Sequence, residues 1–186
     1  MGRRSGKRIA PLSNAPSLWD WALGAYERPG VEPLALALQD RHGLNVNMLL
    51  WCLWCGAYFR EPGELVIRKA IDQTHRWNHE VTKPLRAART ALKFVFPGAD
   101  IERQGALRLK IKDDELAAER IELDTLERLA LDALAAASPP GGTERARRAV
   151  ALYARLAGAA RTPGFTVSLL EELIANTLDL VESKTP

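Results

Sequence analysis

Apolar positions recur along this chain at three- and four-residue spacings, and proline–glycine pairs interrupt them at intervals. That rhythm predicts a series of helices. The first spans 18–27, with Ser17 as N-cap, and ends before Arg28-Pro29-Gly30. The second spans 31–42 and stops at Gly43, a residue free to take the left-handed conformation that terminates helices. Asn45 or Asn47 caps a third at 48–60, stopped by Glu61-Pro62-Gly63. A fourth covers 64–80. A fifth is capped by Thr82, carries Pro84 in its first turn and reaches Phe96 before Pro97-Gly98.

The stretch 100–137 reads as one long element, and its part beyond Asp113 is rich in the strong helix formers Glu, Leu, Ala and Arg. From Asp100 to Lys112 the pattern is ambiguous. Leu107, Leu109 and Ile111 alternate with Arg108, Lys110 and Lys112, as in a strand. No second strand is present to pair with it, which favours helix. Ser138-Pro-Pro-Gly-Gly142 is a linker, 143–160 is helical, and Thr162-Pro163-Gly164 breaks it. A last helix covers 166–181, with Ser168 and Glu171 at capping-box spacing. The expected fold is all-α: a single-domain irregular bundle of six to eight helices over 17–182, flanked by a disordered basic arm at 1–16 and a disordered tail at 183–186.

From Met48 to Phe59 no residue is charged, and this run holds both cysteines and two of the five tryptophans. Such a segment has to be buried against a core, a partner or a ligand. At 186 residues, with 47% hydrophobic and 26% charged residues, the chain suits one soluble domain that needs no disulfide or metal staple. Net charge is +3, but the segment 1–8 holds four of the 26 basic residues and none of the 23 acidic ones, so the remainder is close to neutral. A folded nucleic-acid reader carries its charge on the folded face instead. No apolar stretch follows the basic arm, so no signal peptide is expected. The uncharged run is too short for a membrane span. A cytoplasmic location with reduced thiols and no membrane association is the expectation.

Six sets of residues are candidates for chemistry. Cys52 and Cys55 form a Cys-x-x-Cys, but inside an apolar helix rather than at the helix N-terminus that would activate a thiolate. Asp72, His75 and His79 fall within about 60° on one helical stripe, a set able to bind Zn or Fe if His42 or Glu119 completes it. Arg68 and Arg76 are each four residues from Asp72, and a solvated ion-pair face is the plainer account. Lys83, Arg86, Arg89, Thr90 and Lys93 line one face of the fifth helix, opposite Leu85, Ala88 and Leu92. Arg145, Arg147, Arg148 and Arg155 make a second basic region whose helix has Glu144 as its one acid. Asn45 and Asn47 flank a valine. One serves as cap, and the other, with Gln39 and Asp40, would make a polar cluster at the mouth of the aromatic core, suited to a small molecule. Trp51 and Trp54 share a helical face. Trp19 and Trp21 do not, so one of that pair is turned away from its helix's main contact.

The order Leu18-Trp19, Tyr26-x-x-Pro29-Gly30-Val31, Leu38-Gln39-Asp40-x-x-Gly43-x-x-Val46-Asn47-x-Leu49-Leu50, Trp54, Trp77, Pro84-Leu85-Arg86-x-x-Arg89 and Glu115-Leu116-x-Ala118-Glu119 resembles a proteobacterial family of conserved hypothetical proteins, the domain of unknown function numbered 2390. The resemblance runs from about Leu18 to Leu129. It implies a small cytoplasmic helical protein and no known activity.

With no convincing catalytic set, the expected function is a non-catalytic protein-binding adaptor or regulatory module. Its candidate ligand- or partner-binding residues are Trp19, Trp21, Asn45, Asn47, Trp54, Trp77, Arg86 and Arg89. A metal-binding protein using Asp72, His75 and His79 is one alternative, although no cofactor is favoured. An RNA- or ribosome-associated protein using the basic arm is another. A homodimer through an exposed tryptophan patch is compatible with the same features.

Overall fold

A computed structural model of the chain describes residues 15–134 and 141–178. Residues 1–14 of the expected basic arm, the tail and most of the Ser138–Gly142 linker lie outside the described residues. The described chain is all-α: α1 (Leu18–Tyr26), α2 (Val31–His42), α3 (Val46–Tyr58), α4 (Glu64–Trp77), a π turn (Asn78–Thr82), α5 (Lys83–Ala91), α6 (Ile101–Ala133), α7 (Gly142–Leu156), a 3₁₀ turn (Ala159–Arg161) and α8 (Val167–Leu178). No helix among the described residues is long and apolar enough to cross a membrane.

Local chemistry sets the element ends. The Ser17 hydroxyl accepts the Asp20 N–H at 3.1 Å and starts α1. Gly43, at φ 69°, ends α2, and the Leu44 N–H reaches the Leu38 carbonyl at 3.3 Å, the six-to-one bond of a left-handed helix stop. Asn45 caps α3 by accepting the Asn47 N–H at 2.9 Å. The ambiguous stretch after Asp100 is helical. Leu107 and Leu109 face solvent, so their alternation with basic residues records no buried strand face.

The uncharged α3 runs through the middle, and every residue from Val46 to Gly56 is buried. It packs on α7 and is flanked by α1, α2, α6 and α8. Trp51 is fully buried and donates its indole N–H to the Leu126 carbonyl at 2.9 Å, while Trp54 donates to the Pro16 carbonyl at 3.2 Å. A Cβ at Gly56 would lie 2.4 Å from both Cα and N of Ala146, so the α3–α7 approach requires glycine there.

Three element ends differ from expectation. The fifth helix, expected to reach Phe96, stops as α5 at Ala91, and the chain turns before Pro97. Thr82 is not a cap after a break. It has helical φ and ψ, makes no capping bond, and sits where the π turn carries α4 into α5 without interruption. Ser168 lies inside the first turn of α8, which starts at Val167, so it does not precede the helix as a cap would.

Candidate functional site

Three carboxylates, Glu115, Glu119 and Glu122, recur at four- and three-residue spacing on α6. They fall on the stripe that also buries Ala118, Leu123 and Leu126. Carboxylates among buried apolar groups need partners, and α2, α3, α5 and the π turn supply them. Arg86 donates from Nε to Glu115 at 2.9 Å and from Nη2 to Glu119 at 2.6 Å, and its Nη1 meets the Gln39 side-chain carbonyl. Arg89 donates from Nε to the second Glu115 oxygen, and its Nη2 reaches the first at 3.2 Å. Glu122 accepts from the amides of Asn45 and Asn47, the latter at 3.1 Å, and from Asn78. Arg86 thus joins α2, α5 and α6 with a side chain only 24% exposed.

The π turn aims Arg86. An i-to-i+5 turn holds one residue more than an α turn, so everything beyond it is rotated back by about 100°. On an unbroken α-helix Arg86 would point about 100° away from Ile67, the centre of the buried face of α4. With the turn it falls in line with Ile67, and Arg89 falls in line with Ala70. The two arginines therefore occupy the α5–α6 seam beside half-buried Leu85 and Leu92, rather than the face opposite them.

Burial works to raise Glu115, but hydrogen bonds and charge from Arg89 and Arg86 outweigh it and hold its carboxyl below the usual range. Glu119 stands above that range because burial, helped by Glu115 and Glu122, exceeds the opposing pull of Arg86. Glu122 is also raised by burial, which its three asparagine hydrogen bonds only partly offset. Tyr26 is pushed up to about 12, first by burial and then by Glu119 and Glu32.

This network forms one wall of a cleft of about 690 Å³. The rest of its lining is largely apolar: Trp19 and Leu23 of α1, Leu36 of α2, Leu50 of α3, and Leu116 and Leu123 of α6. Gln39, Asp40 and Asn47 line it as well, and Lys93 and Lys112 stand at its α5–α6 side. The polar cluster expected from Gln39, Asp40 and an asparagine therefore meets the aromatic helices here.

The other candidates are distributed unevenly. Trp19 lines the cleft with the Arg120 guanidinium 5.2 Å from its ring, while Trp21 is buried in the core. This is the divergence their two-residue spacing implies. Trp54 is fully buried, and half-buried Trp77 donates to the Ala118 carbonyl at 3.0 Å, behind the network. Asn45 sits under the cleft as both cap and Glu122 partner.

Asp72, His75 and His79 are exposed on the far flank of α4 and the π turn, the two imidazoles stacked at 6.2 Å. Arg68 pairs with Glu64 and Arg76 with Glu80, rather than with Asp72. His42 is bound to Thr162 at 2.6 Å and Glu119 to Arg86, so neither approaches the histidine stripe. Among the described residues no group of three or more His, Cys, Asp or Glu is placed to hold a metal ion. Cys52 and Cys55 are sealed in the core, and burial raises both thiols well above their ordinary value. The basic region of α7 is matched from neighbouring elements: Arg147 by Glu171, Arg148 by Glu61 and Arg155 by Glu64.

Glu115, Glu122 and Tyr26 were not among the candidate site residues. The two glutamates carried a readable signal, since with Glu119 they recur at four- and three-residue spacing on the apolar stripe of α6.

No curated protein and no solved structure matches the chain. The profile of a family described as "Protein of unknown function (DUF2390)" matches residues 17–126. That span contains every residue lining the cleft and stops short of α7 and α8. The chain belongs to the DUF2390 family.

Proposed function

We propose that the protein is a non-catalytic binding and regulatory module, and that the α1–α2–α5–α6 cleft is its recognition site. The ligand has an apolar body and an anionic end. The carrying observation is the cleft itself. It is of small-ligand size, lined by apolar side chains together with a fixed set of polar groups. The α5–α6 side bears Arg86, Arg89, Lys93 and Lys112 against Glu115 and Glu119, which favours a negative group there. The carboxylates are engaged by arginine and asparagine, and the thiols are out of reach, so the site offers recognition rather than a nucleophile with a base.

The test uses anilinonaphthalene sulfonate, an apolar aromatic with one anionic group. It should give saturable one-to-one fluorescence, weakened about tenfold by Leu116→Glu or Lys112→Glu, both at exposed positions. Binding unchanged in both variants would place the probe elsewhere and remove the support for this site.

A second reading, an adaptor that receives the apolar face of a partner protein, is favoured by Leu23, Leu36 and Leu116. All three line the cleft and are exposed. Native mass spectrometry of the purified chain separates the two readings: an organic adduct supports the first, and a bare chain that captures a partner through Leu23 and Leu116 supports the second.

A further inference from the structure

The charged groups of the cleft are sorted by sign along its length. Lys93 and Lys112 line one end, where α5 and α6 approach their shared turn, and neither has an ion-pair partner among the described residues. Glu32 and Asp40 of α2 also line the cleft and also lack an ion pair among those residues. Asp40 accepts the amide of its neighbour Gln39 at 3.1 Å. Between the two pairs, Arg86 and Arg89 are matched by Glu115 and Glu119. The cleft lining is therefore neutral as a whole but polar from end to end, with two cations left over on one side and two acids on the other.

Helix geometry gives the separation. Lys93 lies seven residues beyond Arg86, and Lys112 seven before Glu119, so both stand about 10 Å along the hairpin from the Arg86–Glu119 contact. Asp40 sits at the level of that contact, because Gln39 beside it meets Arg86. Tyr26, in the same part of the cleft, shows the sign of the field there. Its phenol is raised first by burial and then by Glu119, Glu32 and Asp40, with Arg86 opposing them. A neutral phenol offers oxygen lone pairs and a ring face to a cation.

A simple anion with a hydrocarbon tail would satisfy the lysines and leave Glu32 and Asp40 beside that tail. A simple cation would do the reverse. A molecule with one charge of each sign answers both ends and adds no net charge to a neutral site.

We propose that the ligand of the cleft is a zwitterion, with an anionic group at Lys93 and Lys112, an apolar body, and an ammonium group about 10 Å away among Asp40, Glu32 and Tyr26. This rests on the cleft being a small-molecule site and adds a second charged end to its ligand.

The experiment is isothermal titration calorimetry of the full chain with ω-aminooctanoate, octanoate and octylamine, which share a hydrocarbon chain and differ at their ends. Exchanging the methyl of octanoate for an ammonium sacrifices apolar burial, so any advantage of the amino acid has to come from the acidic end. ω-Aminooctanoate should bind about fivefold tighter than either of the others. Glu32→Gln with Asp40→Asn, both at exposed positions, should reverse that order and tighten octanoate. Lys93→Ala with Lys112→Ala, also exposed, should weaken octanoate and ω-aminooctanoate together. Octanoate that binds the native chain as tightly as ω-aminooctanoate overturns the zwitterion and leaves an anionic ligand standing. An advantage of the amino acid that survives Glu32→Gln with Asp40→Asn overturns it too. If none of the three binds while anilinonaphthalene sulfonate does, the zwitterion falls and the cleft stands. If the sulfonate fails as well, both fall.

Discussion

The α3–α7 contact, buried, and the α5–α6 seam, half-buried, are helix pairs held by opposite chemistry. Where α3 meets α7, Gly56 stands against the backbone of Ala146, and Trp51, Cys52 and Leu53 are fully buried with no charge on α3. Burial of apolar area there is favourable and non-directional. At the seam Arg86, Arg89, Glu115 and Glu119 are withdrawn from water, and their mutual attraction only offsets the desolvation. What the seam gains is geometry, since each guanidinium has one arrangement that satisfies its partners. The first contact holds the molecule together, and the second shapes the wall of the cleft.

The sharpest break in the apolar contact is Gly56→Ala. The new methyl would meet the Cα and N of Ala146 at 2.4 Å, and backbone atoms cannot rotate aside. A loss of about 3 kcal/mol is expected in urea unfolding. Gly105→Ala is its counterpart. That glycine is inside α6 with nothing within 4 Å of the added atom, so the same change should stabilise by about 0.5–1 kcal/mol. Equal effects at the two sites would mean that helix propensity, not close approach, governs Gly56.

At the seam Glu115→Gln removes the one carboxylate shared by both arginines, from a side chain only 7% exposed. A cost of about 2 kcal/mol is expected, because two guanidinium groups lose their common partner in a region that water reaches poorly. The variant should also bind the anionic probe more tightly, because one carboxylate fewer opposes the two guanidinium groups lining the cleft. Gly56→Ala, at equal residual stability, should leave that binding unchanged. If both variants shift probe binding alike, the seam is not a separate recognition wall.

These two regions also differ in how far the sequence disclosed them. An uncharged helix from Met48 to Phe59 announces a core by composition, and Ser17, Gly43 and Asn45 announce element ends by local chemistry. The seam depends on partners 26 to 33 residues apart and on a π turn. Periodicity within the fifth helix set Arg86 opposite Leu85 and Leu92, whereas the register change at the π turn brings them all into the seam. Proposing Thr82 as a cap had the same root, because Pro84 suggests a new helix where the chain only changes register. Gln39, Asp40 and Asn47 were recognised as one polar cluster because they sit close in sequence around a helix stop. Glu122 was not, since its partners Asn45 and Asn47 come from a helix more than 70 residues earlier.

The smallest expected effect is a pH dependence that separates the carboxylates of the seam. Glu119 is raised above its ordinary value, chiefly by burial, so between that value and its folded one the native state binds the extra proton. Stability from this group is therefore full at low pH and falls as pH rises through that window. Glu115 is held below its ordinary value by Arg89 and Arg86 despite burial, so its contribution is full above that value and falls as pH drops beneath it. Urea unfolding across a pH series should show both limbs. Glu119→Gln should flatten the decline on the upper side, leaving a remainder from Glu122, which is raised in the same direction. Glu115→Gln should remove the decline on the acid side. Two limbs that respond to separate variants would show that neighbouring carboxylates four residues apart on α6 occupy different electrical environments. An upper limb that survives Glu119→Gln unchanged would mean that water reaches Glu119 freely, and the wall of the cleft would then be softer than its hydrogen bonds imply.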